Sequence, residues 1–197
     1  MHYIIKIFFL IVFIPNVIFA SVINLDNNLE IAIQKTYGGD SIERIKYLNK
    51  FLTTITPNMS QIEKLTLVNN FFNKFTYLKD ANHWKKDDYW PTLIEFVSTG
   101  AGDSEDFAMA KYFLLIKLGF DKNKFELLYD LNEYQFTKID DPEHIVLSYK
   151  YSADSKIIVL DCVHKKLKVV NDFSKYKQIE KSKPFILEHL NKMLEFR

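Results

Sequence analysis

The sequence is poor in residues that staple, divide or unbalance a chain. Cys162 is the one cysteine among 197 residues, so no internal disulfide can form and stability must come from a buried core. Five glycines and five prolines, with no tract rich in either or in serine, leave no linker that would split the chain. Neither sign of charge prevails. Lys and Arg number 26 against 25 Asp and Glu, a formal net charge of +1, which excludes the basic footprint of nucleic-acid binders. There is no long like-charge run, internal repeat or low-complexity stretch to suggest an interaction tail or a solenoid. What the chain does have is apolar residues at 48% and aromatics at 15%, enough for one good core in a single domain.

The first twenty residues, "MHYIIKIFFLIVFIPNVIFA", differ from the rest. His2 and Lys6 precede an apolar run that Pro15 and Asn16 interrupt, and small Ala20 stands at the exit. This order is that of a secretory signal cleaved after Ala20, leaving a mature domain over 21–197. The run falls short of the roughly 20 residues that a comfortable membrane span needs; an uncleaved N-terminal anchor is the alternative. Without the segment, basic and acidic residues balance at 25 each.

Residues 24 to about 78 read as helices. Ile42, Ile45, Leu48 and Leu52 recur near helical spacing, and Ser60 with Glu63 forms a capping-box pattern. "YLKDANHWKKDDYWP" reads as a loop. After Asp103 comes the clearest helix, with Phe107, Ala110, Leu114 and Leu118 on one stripe and Gly119 at the C-terminal cap. Strands are predicted at 125–129, 144–150 and 156–162, with a weaker one at 166–170. A last amphipathic helix is predicted from Pro184. Helices followed by a helix packed on adjacent strands make an α+β fold with an antiparallel sheet.

"GDSED", residues 102–106, has a plain structural explanation. Asp and Ser cap helices well, and acidic side chains in a first turn complement the helix dipole. Two further residues change the reading. A two-residue turn at Ser152 and Ala153 would pair Tyr151 with Asp154 and, in the same register, His144 with Asp161. Opposed residues have Cβ atoms roughly 4.5–5.5 Å apart, from which a carboxylate can hold one imidazole nitrogen. A one-residue slip would part them. Ser104 at a helix N-terminus, a histidine opening one strand and an aspartate closing the next follow the logic of papain-type and transglutaminase-type sites.

From "EKLTLVNNFFN" (63–73), through "DDYWPTLIEFVSTGAGDSEDFAMAKYFLLIKLG" (87–119), to "HIVLSY" (144–149) and "IVLDC" (158–162), the chain resembles the bacterial transglutaminase-like cysteine peptidases, periplasmic proteases that cut large biofilm adhesins. The resemblance implies a papain/transglutaminase-like core and a triad at Ser104, His144 and Asp161, with His144 as general base. It also implies calcium bound by Asp103 and Glu105, with Asp106 a further ligand. Oxygen donors suit that ion, and three carboxylates in four residues repel one another without a cation. An exported adhesin is the implied protein partner, and an inner-membrane receptor that senses a cyclic dinucleotide is a second.

One departure matters. The family carries cysteine where this chain has Ser104, so weak or absent activity is expected. A helix N-terminus and a neighbouring histidine can lower a thiol pKa to ~3.5–7.5, whereas a hydroxyl stays protonated until the transition state. The amide that the family more often has after the aspartate is replaced by Cys162. Strand alternation places that thiol on the opposite sheet face, in a small apolar role. Trp90 is as readily a core anchor as a cleft residue, and His83, His164 and His189 read as surface residues. A non-catalytic relative that binds the adhesin or the receptor is the alternative function; acyl transfer to amines ranks behind both.

Overall fold

The computed structural model describes residues 25–131, 144–151 and 156–179. Residues 1–20, the turn at 152–153, the helix expected from Pro184 and His189 lie outside the described residues.

Three helices open the fold: α1 (Asn27–Tyr37), α2 (Ser41–Thr53) and α3 (Gln61–Phe72). Ile42, Ile45, Leu48 and Leu52 of α2 are buried together, as their spacing predicts. Ser60 starts α3 by accepting the Glu63 N–H at 3.2 Å, while Glu63 returns a carboxylate to the Ser60 N–H at 2.8 Å. Helix stops at Phe72, earlier than the sequence pattern suggests. A two-residue strand β1 (Thr76–Tyr77) follows. The segment expected as a loop contains a one-turn helix α4 (Asp80–His83), and then comes α5 (Leu93–Thr99), started by a second capping box between Thr92 and Glu95.

Gly100 ends α5 at φ +74, a left-handed conformation that glycine adopts without strain. The chain then pairs β2 (Ala101–Gly102) in parallel with β1 and enters α6 (Ser104–Lys117), whose N-cap is Asp103. Gly119 closes α6 at φ +87; its N–H reaches Ile116 and that of Phe120 reaches Leu115, a Schellman arrangement. Nearly every residue of α6 up to Leu115 is buried, so the helix runs through the core and does not merely lie on it. Leu118, at the end of the predicted stripe, is only half-buried.

Among the described residues, five antiparallel strands form the main sheet in the order β6-β5-β4-β3-β7. They are β3 (Phe125–Asp130), β4 (Ile145–Lys150), β5 (Ile157–Leu160), β6 (Lys168–Val170) and β7 (Tyr176–Gln178). In β4, Ile145, Leu147 and Tyr149 join the main core with Phe107, Leu114 and Leu115 of α6. Val146 faces the other way, into a small cluster with Leu128 and Val159. β4 is buried on both faces and central, so its two ends are rigid places to hang a side chain.

The register between β4 and β5 corrects the expected one. Leu147 pairs with Leu160 and Lys150 with Ile157, and the Tyr151 N–H reaches the Lys156 carbonyl. The connection is therefore residues 152–155, and every partner is two residues further on than a two-residue turn would place it. A shift of two keeps each side chain on its own face.

Candidate active site

α6 begins where β2 delivers the chain to the end of the sheet. The Asp103 N–H is held by the Asp106 carboxylate at 3.3 Å, closing the first turn. Ser104, the first helical residue, is fully buried. Its Oγ accepts the Ile145 N–H at 3.0 Å and donates to Glu105 Oε2 at 3.2 Å. The first of these bonds fastens the helix start to the residue that follows His144.

His144 lies just before β4 and is wholly buried. Its Nε2 meets Asp161 Oδ1 at 2.9 Å. His144 just precedes β4 and Asp161 just follows β5, so the adjoining strand ends bring the two together and not a directly opposed ladder pair. Asp161 is 1% exposed, and both its oxygens are engaged. Oδ1 also accepts the Val163 N–H at 2.9 Å, and Oδ2 meets His164 Nδ1 at 2.6 Å with Lys168 Nζ at 3.7 Å. Burial alone would raise the Asp161 pKa. The hydrogen bond and charge of His144, with the Val163 and His164 bonds, outweigh it and hold the carboxyl well below its usual range. The turn carrying Asp161 is clamped from α3, because Asn73 Nδ2 donates to the Asp161 carbonyl at 2.8 Å and the His164 carbonyl at 3.0 Å.

Three expectations need revision, two in this turn and one in α4. β5 ends at Leu160, so strand alternation no longer governs Cys162. Its sulfur lies within 4.8 Å of a His144 ring nitrogen and an Asp161 oxygen, on the side of the site, while the half-buried residue packs against the main core, in keeping with the expected apolar role. His164 is no isolated surface residue but a partner of Asp161. His83 is half-buried and packs edge-on against Trp84 at 4.5 Å, and burial lowers its pKa. Trp90 packs against the main core.

A second cluster lies on the other side of the α6 start. Carboxylate oxygens of Asp80, Asp103 and Asp106 lie within 4.8 Å of one another, and so do those of Asp80, Asp88 and Glu105. Asp80 belongs to both groups, yet nothing in the sequence pattern singles it out, because it sits about twenty residues from "GDSED" in an apparent loop. One of its oxygens accepts the Tyr89 N–H. The Oδ1 atoms of Asp80, Asp103 and Asp106 are buried with no hydrogen-bond donor among the described residues. Burial, then the charges of Glu105, Asp106 and Asp80, push the Asp103 carboxyl up to about 10. Burial, then Asp80 and Glu105, push Asp106 up to about 9, and burial raises Asp80 as well. Buried carboxylate oxygens without donors fit a hard cation, which would supply the missing partner and let the groups ionise. A cleft of about 210 Å³, lined by Tyr77, Asp80, Asp103, Glu105 and Ile145 among others, opens beside them.

A helical layer, a buried helix whose N-terminus meets the end of an antiparallel sheet, and a His–Asp pair at that end define a transglutaminase-like protein. The sequence profile of the bacterial transglutaminase-like cysteine proteinase (BTLCP) family matches residues 43–185, and the chain belongs to this family. Calcium-bound LapG of Legionella pneumophila is similar to it at 29% identity and a TM-score of 0.59, over 76% of this chain and 81% of that one. A second LapG structure from the same organism matches at 30% identity, with the same coverage and TM-score. An EGTA-treated form matches at 28% identity and 0.59, over 76% of this chain and 78% of that one. Comparison with curated protein sequences gives no match.

Proposed function

We propose that this protein is an exported, periplasmic member of the family that processes a large surface adhesin by acyl-enzyme chemistry, with turnover reduced by Ser104. The observation that carries the reading is the buried His144–Asp161 pair at 2.9 Å, joined to the Ser104 position by the Ile145 N–H. Asp161 fixes the His144 tautomer and stabilises the imidazolium formed as His144 takes the proton of the attacking group; His144 then returns that proton to the leaving amine. The positive end of the α6 dipole would stabilise the developing oxyanion.

Asp80, Asp103 and Asp106, with Glu105 at the cleft, would hold calcium in the same fold. The calcium-bound and EGTA-treated LapG structures support that choice of ion. Bound there, the ion would neutralise the acidic first turn next to Ser104; every proton transfer belongs to His144.

The test is incubation of the mature protein with calcium and the N-terminal region of an adhesin carrying a small-residue (Ala-Ala) site. Slow cleavage that Ser104→Cys accelerates is expected, and silence from both forms rejects the reading. Ser104 itself favours a second reading, a non-catalytic relative that binds the adhesin or an inner-membrane cyclic-dinucleotide receptor. Calorimetric binding without turnover is its signature, and cleavage abolished by Ser104→Ala removes it.

A further inference from the structure

Asp161 is gripped by two imidazoles, and the reaction proposed above uses one of them. We propose that His164 is a positioning residue, which holds Asp161 Oδ2 and so fixes the carboxylate in the orientation that presents Oδ1 to His144. The catalytic consequence rests on the peptidase reading; the positioning itself does not.

The bond lengths divide the work. Oδ1 receives His144 Nε2 and the Val163 N–H, each at 2.9 Å. Oδ2 receives His164 Nδ1 at 2.6 Å, the shortest of these contacts. The terminal torsion of an aspartate is broad and roughly two-fold, so a carboxylate held at one oxygen still rocks. Of the two groups at Oδ2, Lys168 stands at 3.7 Å on a long, partly exposed side chain, and a mobile ammonium sets no angle. Lys111, buried in α6 near Asp161 and Cys162, contributes charge, but its Nζ makes no hydrogen bond among the described residues. His164 has the geometry that those two lack. Its own backbone is fixed, since Asn69 and Asn73 both donate to its carbonyl, at 3.2 Å and 3.0 Å. Asn73 holds the Asp161 carbonyl as well, so one helix anchors both the carboxylate and the ring that steadies it.

The contact with Asp161 Oδ2 selects the tautomer that carries its proton on His164 Nδ1. The ring is 43% exposed, so trimming it opens no cavity in the core. That separates a positioning role from a merely structural one.

The experiment uses the mature chain with Ser104 and with Ser104→Cys, each carrying His164→Ala or His164→Asn; an asparagine amide can donate from near the place of Nδ1. Histidine labelled with ¹⁵N reports the low-field proton that His144 Nε2 shares with Asp161. In His164→Ala this resonance is expected to broaden away, and kcat of the Ser104→Cys form to fall about 10- to 100-fold with KM little changed. His164→Asn restores both. A resonance that survives in His164→Ala overturns the inference, as does a kcat loss that His164→Asn leaves unrepaired. If the Ser104→Cys form cleaves nothing, the peptidase reading falls and the resonance alone decides the role of His164.

Discussion

Oxygen at position 104 sits on a shorter bond than sulfur and holds its proton far more tightly, so His144 and Asp161 carry a heavier share of any reaction there. Their pairing sets one clear expectation. In the Ser104→Cys form, Asp161→Asn keeps the shape of the site but presents an amide to His144, which favours the wrong tautomer. Turnover is expected to fall by about 10²-fold; a loss below tenfold contradicts the role given to Asp161. Ser104, His144 and Asp161 can all be picked out of the sequence because each marks the boundary of a strongly patterned segment. Asp80 cannot, since its partners Asp103 and Asp106 reach it through the fold alone. His164 and Cys162 escape detection for a related reason: β5 ends at Leu160, and the chain turns where a continued strand would alternate.

Among the elements, α6 depends on one small residue before it. A Cβ built on Gly102 would strike the Asp106 carboxylate and the Phe96 ring, so absence of a side chain is what lets Asp106 fold back to the Asp103 N–H. Gly102→Ala is expected to destabilise the protein by about 1–3 kcal/mol in chemical denaturation, the usual range for overpacking. An unchanged midpoint contradicts this account of the turn. α2 is legible because burial writes a period of 3.6 into it; α6 and β4, buried nearly all round, are legible from the caps and turns that bound their apolar runs. The β4–β5 register is misread by two residues because sequence does not fix the length of "YSADS" as a turn. β7 goes unseen because Tyr176–Gln178 is a short, mostly exposed edge, with no apolar alternation to betray it.

For the whole molecule, a core without disulfides must tolerate a buried acidic cluster. Asp103 and Asp106, near ~3.9 when unfolded, are raised to about 10 and about 9 in the fold. The folded state therefore keeps protons that the unfolded state releases, and stability is lost as pH rises from ~4 toward those values. Asp161 has the opposite sign, but its loss falls in strong acid. In EGTA the melting temperature is expected to be lower at pH 8 than at pH 5; calcium raises it at both, and more at pH 8. Scanning calorimetry at the two pH values decides the matter, and indifference to calcium at both removes the cation from the cluster. The overall α+β architecture is legible because the long helices precede the run of strands that forms the main sheet. The way those two parts close on one another is not, because contacts such as Asn73 to Asp161 join residues far apart in the chain.

Asp80 and Asp103 stand on different segments, so an ion shared between them ties the chain into a closed loop. Topologically that is a cross-link, in a chain whose single cysteine can make none. Unlike a disulfide, it is set and released by the surrounding ion concentration and not by redox chemistry. The segment around α4 would then be fastened to the end of α6 only where the ion is plentiful.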